Sequence, residues 1–521
     1  MSRIRGKLHL RLFALLLVSV LVAAACSSGG DSPGTDDSGP DAAAGEPTKG
    51  GTLVIGRNSD TAGLDPQTLI NGEDMMIKRL LFAPLMDISS DGSGVEEALA
   101  ESVEYDEENL AYTITLREAN FSDGSPITSA DAKFSLEHAA EGGFYGALFS
   151  KIDTMDTPDD QTLVVNLKTF DSLFLPGLAF GYVIPKDFGG QEAEAFFEDP
   201  VSSGPFVLES WAPGDEMVLA RNSEYYDPER PYVDKVEYRI IPDANQKLVA
   251  LQNGDIDVYE FLPHQLAQSL PEEQVYEVNP TSRVLLITVN SSKPPLDDIE
   301  VRRAMGQAIN RDAMVEGIWQ GRGESATGIV QPGIPDQVPG LETEWTYDPE
   351  AAKETLANSS YDNEPIELLS PNEREVEANV TQSVQSDLTA AGFKIKLETP
   401  DYGAAIDALV AMEFQTFMLG NGGYLPTAGE ALLFYATVFS PLSAWPDPDT
   451  ANALFEDYRV AETTEDREAA VAAFEDYVYE TQAIIPIANP HLLYGVGERV
   501  GGFESTPGGL TMPDRMWVEG E

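Results

Sequence analysis

Cysteine is almost absent from this chain: there is one, Cys26, in 521 residues. That excludes an internal disulfide framework and any cysteine-built zinc cluster. Histidine is nearly as scarce. There are four, His9, His138, His264 and His491, and none lies within five residues of another. No His-Glu-x-x-His pair, phosphate-binding P-loop or dinucleotide glycine fingerprint occurs, so nucleophilic, metal and nucleotide chemistry are poorly supplied. Basic residues are few as well, 32 Lys plus Arg against 88 Asp plus Glu, for a formal charge of −56. Such a chain repels nucleic-acid phosphates, and a basic membrane-binding patch does not fit it. The composition is otherwise that of a folded protein, 42% hydrophobic, and its length suits about three domain-sized units.

The one cation-rich stretch is at the start. Arg3, Arg5, Lys7 and Arg11 precede an uncharged run, Leu12 to Ala25, that is too short for a bilayer span of roughly 20 residues. Residues 1–25 read as an export signal. Cys26 follows at once, in Val22-Ala23-Ala24-Ala25-Cys26-Ser27-Ser28. This resembles a bacterial lipobox, whose cysteine is acylated and becomes the mature N-terminus, although Ala23 stands where Leu is preferred. Loss of the four cations takes the mature charge from −56 to −60. Residues 26–50, rich in Ser, Gly, Asp, Pro and Ala, read as a disordered tether with a reach of about 25–30 Å. Gly30-Asp31-Ser32-Pro33-Gly34 matches the hydrolase nucleophile elbow in letters only, since a tether supplies neither the strand nor the helix that motif needs.

From Gly51 the chain alternates strand and helix signals, an α/β pattern. Thr52–Ile55, Tyr112–Leu116, Leu163–Leu167, Ile256–Tyr259 and Val284–Val289 read as strands, the last buried on both faces. Asp123-Gly124 marks a turn, and Thr128-Ser129-Ala130-Asp131 a capping box for a helix to about Ala140. Asp243 and Asp298 cap two further helices, the first stopped by Gly254. The strand Ile366–Leu369, the stripe Val376, Val380, Val384, Leu388, Ala391, the stop at Gly392 and the alternation Phe393, Ile395, Leu397 predict a β-α-β unit with a parallel pair.

A long ordered segment, Tyr112–Leu116, Arg117, Phe121, Asp123-Gly124-Ser125-Pro126, Thr128, Asp131 and Phe134-Ser135, resembles the signature of solute-binding family 5, the extracytoplasmic binding proteins of peptide/nickel-type ABC importers. Ser203-Gly204-Pro205-Phe206, Arg221-Asn222 with Tyr225-Tyr226, Asn253-Gly254-Asp255-Ile256-Asp257, and Val301-Arg302-Arg303-Ala304 through Asn310-Arg311 recur in the family's order. The resemblance implies a two-lobed periplasmic-binding-protein type II fold. Lobe I would span 51–285, with an inserted subdomain at about 85–200, and be completed by 490–521; lobe II would span 286–489. Crossovers would fall near Val284–Asn290 and Ile485–Tyr494. The implied protein is not an enzyme and has no cofactor or metal. It would be a monomer, anchored by lipid on the outer face of the cytoplasmic membrane, that hands a small organic solute, an oligopeptide first of all, to ABC permease subunits.

Ligand sites in open α/β sheets lie beyond strand carboxyl ends, which makes Asn58 and Asp60 candidates; Asp60 is either a ligand acid or a loop cap. Peptide-binding members hold the α-ammonium with an Asp in a stretch that corresponds here to Gly420–Thr427. This chain has no carboxylate from Gly420 to Gly429. A buried ammonium without an anion costs several kcal/mol. Either another acid such as Asp60 or Asp401 substitutes, or the ligand lacks that amine, as an oligosaccharide-like solute or a metal chelate would. Tyr424, Tyr402, Phe144 and Tyr145 either line the cleft or pack, and Asn421, Gly422 and Gly423 offer backbone N–H groups. A secreted carboxylate hydrolase is the alternative of another class, since the spacing that would identify one is spatial. Cys26→Ser should release the protein into the medium; retention of that variant on membranes would refute the lipid anchor.

Overall fold

The computed structural model describes residues 46–66, 72–143, 145–331, 333–338, 345–371, 375–438 and 445–519; for 72, 73, 375–377, 402, 403, 406, 410, 421, 422, 437 and 438 it describes the backbone alone. The chain divides into Met1–Ser38 and Gly39–Glu521, and everything described belongs to the second unit. Signal, lipobox and most of the tether lie outside the described residues. Residues just before the expected start at Gly51 are bonded to the fold: Thr48 Oγ1 donates to Val518 O (3.1 Å) and Gly50 N to Tyr232 O (2.9 Å).

The strands that build the main sheets are β1 (Thr52–Arg57), β2 (Ala100–Asp106), β3 (Ala111–Leu116), β4 (Ile152–Asp156), β5 (Thr162–Leu167), β6 (Phe206–Ala212), β7 (Glu216–Arg221), β8 (Lys235–Ile240), β9 (Val258–Tyr259), β10 (Val275–Val278), β11 (Arg283–Val289), β12 (Gly323–Ser325), β13 (Ile366–Leu369), β14 (Ile395–Glu398), β15 (Thr416–Gly422), β16 (Ile484–Pro490) and β17 (Leu492–Val496). The helices that matter below are α1 (Ser129–Glu141), α2 (Ala244–Asn253), α3 (Ile299–Ala308), α4 (Arg311–Ile318), α5 (Glu375–Ala391), α6 (Ala428–Leu433), α7 (Pro448–Arg459) and α8 (Thr464–Thr481).

Local chemistry explains many of the boundaries. Asp131 Oδ2 accepts from Thr128 N at 2.8 Å and Thr128 Oγ1 at 2.6 Å, which fixes the start of α1. Asp243 accepts from Gln246 N at 2.8 Å, and Gly254, at φ +76°, ends α2 in the left-handed region that favours glycine. In the β-α-β unit, β13 pairs parallel with β14, Ile366 opposite Ile395, while Val380, Val384 and Leu388 of α5 are buried against the sheet.

The first sheet has the order β10–β17–β9–β1–β8–β7–β6, and the second β12–β16–β11–β15–β13–β14. A four-stranded antiparallel sheet, β2–β3–β5–β4, forms the subdomain inserted in the first lobe. In the first sheet β1 pairs parallel with β8 and β9. β11 is buried on both faces as its sequence predicts, and both of its neighbours, β15 and β16, run antiparallel to it. The fold is therefore a two-lobed α/β architecture with an extra subdomain. The chain leaves the first sheet through residues 279–282 and returns at His491. Val284–Val289 lies within β11, Asn290 follows it, and the outgoing connection is the short segment before the strand.

The first lobe is tied together by buried ion pairs. Arg57 and Glu260 are both fully buried, 3.1 Å apart, with the guanidinium over the Tyr238 ring at 4.6 Å. Asp257 accepts from Val54 N (2.8 Å) and from Arg499 Nη2 (2.7 Å), binding the returning C-terminal segment to β1. Arg79 bridges Asp87 and Asp514 in the same way. Burial would raise the Asp514 carboxyl; Arg79 and Arg515 outweigh it and hold Asp514 below the usual carboxylate range. Removing one member of such a pair leaves a buried charge, at about 3–5 kcal/mol. Glu260→Leu should lower stability by about that amount in urea unfolding, and Arg57→Met with Glu260→Leu should lose less than the single change. A single variant within about 0.5 kcal/mol of the parent would contradict this account.

Candidate functional site

The two lobes meet around the loop that follows β15. Thr427 caps α6, accepting from Gly429 N at 3.2 Å, and this brings Glu430 into the first helical turn with its side chain folded back over the loop. Glu430 Oε2 accepts from Tyr424 N and Leu425 N, both at 2.6 Å. Glu430 Oε1 accepts from the Tyr145 hydroxyl at 2.9 Å, and Tyr145 belongs to the first-lobe subdomain. The Tyr145 ring lies on Phe180 with centroids 4.1 Å apart. Behind it is a cavity of about 20 Å³, one water in size, bordered by Ser135, His138, Tyr145, Phe180 and Tyr182.

The same loop touches the outgoing crossover and the C-terminal segment. Ser282 Oγ donates to Gly423 O, Gly423 N donates to Ser282 O at 3.3 Å, and Ser282 N donates to Pro507 O at 2.9 Å. A methyl group on Gly508 would come within 2.6 Å of Gly423 O, so only glycine permits this approach. Tyr145, Gly423 and Tyr424, three of the residues picked from the sequence, are thus brought together.

The others are placed as follows. Asn58 Oδ1 accepts from Lys247 Nζ at 2.5 Å, beyond the carboxyl end of β1. Asp60 takes three donors inside the first lobe, Thr61 N (2.8 Å), Trp211 Nε1 (2.9 Å) and Gly214 N (2.7 Å), which fits the loop-cap alternative. Asp401 caps the helix Tyr402–Val410 through Ala404 N (2.9 Å). Asn421 and Gly422 end β15, opposite Val284 and Arg283. Their side-chain detail, and that of Tyr402, lies outside the description, as does Phe144 altogether. Of the loop N–H groups, those of Gly423, Tyr424 and Leu425 are already taken by Ser282 O and Glu430.

Glu430 was not among the sequence candidates. It stands one residue past the stretch Gly420–Gly429, and nothing local shows that its side chain turns back. Burial raises its carboxyl to about 7, against the Leu425 N–H, the Tyr145 hydroxyl and the Tyr424 N–H, which favour the anion.

A second contact between the lobes runs along α7. Arg459, buried, pairs with buried Asp171, Ser172 N donates to Arg459 O at 2.8 Å, and Ser172 Oγ donates to Tyr458 O at 3.0 Å. Lys151 reaches Glu456 at 2.6 Å. At the returning crossover, Glu277 of β10 receives Arg322 on one oxygen and His491 Nδ1 on the other, the latter at 2.5 Å. His264, which is buried, lies in the field of Glu277. Two histidines that are 227 positions apart (264 and 491) in the sequence therefore meet at the returning crossover. Among the described residues no group of three His, Cys, Asp or Glu is arranged to hold a metal ion.

Comparison with known proteins gives one answer. Residues 94–441 match the family "Bacterial extracellular solute-binding proteins, family 5 Middle". The chain is 30% identical over 371 residues to a probable D,D-dipeptide-binding periplasmic protein of Escherichia coli K12, covering 66% of this chain and 70% of that protein. It is 26% identical over 478 residues to a glutathione-binding protein of Salmonella paratyphi A, covering 87% and 92%. A periplasmic binding protein, AgaA, from A. tumefacien R10, solved with agropinic acid, superposes with a TM-score of 0.80 at 25% identity, over 90% of this chain and 99% of that one. The fold is that of a periplasmic binding protein. The chain belongs to the bacterial extracellular solute-binding proteins of family 5, a family of solute-binding transport proteins; this displaces the hydrolase alternative. Among the described residues no helix is long and apolar enough to cross a membrane.

Burial lowers His264 to about 4, against the nearby Glu277, which raises it. A histidine lowered in the folded state contributes stability that is present at neutral pH and lost as pH falls from about 6.5 towards 4. At 1.36 kcal/mol per pKa unit the loss reaches roughly 3 kcal/mol. Urea unfolding of His264→Gln against the parent should show this limb flattened. Parallel curves between pH 7 and pH 4 would contradict it.

Proposed function

We propose that this protein is the lipid-anchored, monomeric substrate-binding component of an ABC importer, and that it captures an oligopeptide between its lobes for delivery to a membrane permease. The observation that carries this reading is the site itself. A loop of the second sheet meets the subdomain through Tyr145 and the C-terminal segment through Gly508, around two short crossovers. Such an arrangement encloses a ligand when the lobes rotate together. Binding then favours the closed form by its differential affinity. The dipeptide and glutathione named for the two relatives support a peptide. Cys26 would hold the mature chain, at −60, on an anionic membrane that repels it.

One observation favours a second reading, a solute without a free amino terminus. Both acids considered as ammonium partners are engaged within the protein, Asp60 in its loop and Asp401 at a helix cap, and the buried acid of the site, Glu430, is held on two backbone N–H groups and Tyr145. The structural relative solved with agropinic acid shows that this fold accommodates a non-peptide.

Thermal unfolding with matched libraries separates the readings. Free peptides, N-acetylated peptides, glutathione and oligosaccharides are compared at equal concentration. A true ligand at 100 times its Kd stabilises by about 2.7 kcal/mol. Stabilisation by free peptides or glutathione supports the peptide reading, and stabilisation by N-acetylated peptides or saccharides alone replaces it with the second. If no solute raises the melting temperature, the transport reading fails.

A further inference from the structure

We propose that Glu430 couples closure of the two lobes to the uptake of one proton. The inference rests on the binding-protein reading, because it concerns the closed state of that cleft. Glu430 is the point where three pieces of chain meet: its own helix α6, the loop Gly423–Leu425 at the end of the second sheet, and Tyr145 of the first-lobe subdomain. Its side chain is buried, with 3% of the residue's surface exposed. A methyl group on Gly423 would sit 3.0 Å from Oε2, so the loop closes tightly over it.

Among the described residues the surroundings supply hydrogen bonds and no opposite charge. The titratable groups facing Glu430 are phenols: Tyr145 from the turn Tyr145–Phe149, and Tyr424 from the loop, with Tyr182 behind Tyr145. On the α7 side, Tyr458 packs against Gly429, and its hydroxyl meets Thr427 and Asp336, which pairs with Arg467. No cation or second carboxylate is among the groups that shift Glu430. Closure therefore takes the Oε1 edge of this carboxylate from water to a dry site beside Tyr145 without a counter-charge, and desolvation favours the neutral acid. The raised value near 7 given above agrees with this.

The proton has a defined place. Oε2 is held by two N–H donors, so the added proton sits on Oε1. There the acid O–H donates to the Tyr145 oxygen, reversing the bond that the anion accepts from the same hydroxyl. The proton comes from solvent as the lobes close and returns to it as they open. Lobe separation removes Tyr145 and readmits water, which returns the carboxyl towards its ordinary value near 4.5. By linkage the closed-to-open ratio then falls by up to tenfold for each pH unit between about 4.5 and 7. This protein closes more readily in acid, with or without ligand.

The test uses the full mature chain carrying Cys26→Ser, studied without ligand by small-angle X-ray scattering at pH 5 and pH 8. The parent is expected to be more compact at pH 5, with a closed-to-open ratio at least tenfold higher than at pH 8. Glu430→Gln, a permanent mimic of the neutral acid, is expected to be equally compact at both values. Tyr145→Phe, which leaves Glu430 in place, is expected to shift towards the open form at pH 5. A parent indifferent to pH, or a Glu430→Gln protein that follows it in parallel, overturns the proposal. Should Glu430→Gln not fold, an unchanged Tyr145→Phe profile overturns it alone. Ligand titration is a separate readout: a protein that closes in acid yet binds no solute would sink the transport reading and leave this one standing.

Discussion

The antiparallel pairing of β11 with β16 is the constraint on which the architecture turns. The two strands lie side by side in the second sheet, Leu286 opposite Pro486 and Ile287 opposite Ile485. Each continues into the first sheet from the same end, one through 279–282 and the other through His491. Because the exits are neighbours, the lobes share a narrow joint. Every feature of the site is arranged around that joint. Ser282 ties the Gly423 loop to the outgoing strand, Asn489 donates to Arg283 O at 2.9 Å between the two, and Glu277 gathers Arg322 and His491 beside the return.

Scarcity gives the cations their meaning. With 32 basic residues against 88 acidic ones, most acids face solvent. The buried or half-buried arginines mark places where distant segments must be joined. Arg57 links β1 to Glu260, Arg79 and Arg515 fasten the C-terminal segment, Arg499 returns to Asp257, Arg459 reaches across the lobes to Asp171, and Arg322 does so at the returning crossover. In such a protein an exposed acid says little, and an acid that has attracted no cation in a buried position says a good deal. Glu430 and Glu475 are of that second kind. Glu475 accepts from Ile329 N and Val330 N at 2.8 Å, and burial raises it to about 7.

What could be read from the sequence was local in origin. Caps at Thr128, Asp243 and Asp298, the glycine stop after α2, and the stripe on α5 depend on neighbours within a turn or two, so the letters display them. The burial of β11 was legible in its unbroken apolar run, but the direction of its partners was not, because pairing is a long-range choice. The site divides in the same way. Tyr145, Gly423 and Tyr424 came from a resemblance that preserves chain order. Glu430 escaped because its importance lies in a side chain that turns back on a loop. Asp60 was ambiguous because only space shows that Trp211 and Gly214 come to it. The histidines looked isolated because separation along the chain hides their meeting at the returning crossover.

The returning crossover is a single residue, and this has a consequence for how such a protein can vary. His491 separates two strands that belong to different sheets. An insertion or deletion there cannot be absorbed by a loop. It would slide β16 or β17 by one position and turn every side chain of that strand to the opposite face of its sheet. The outgoing segment has four residues, of which Thr281 and Ser282 are buried, and the return has one. The returning strand thus sets the phase between the lobes.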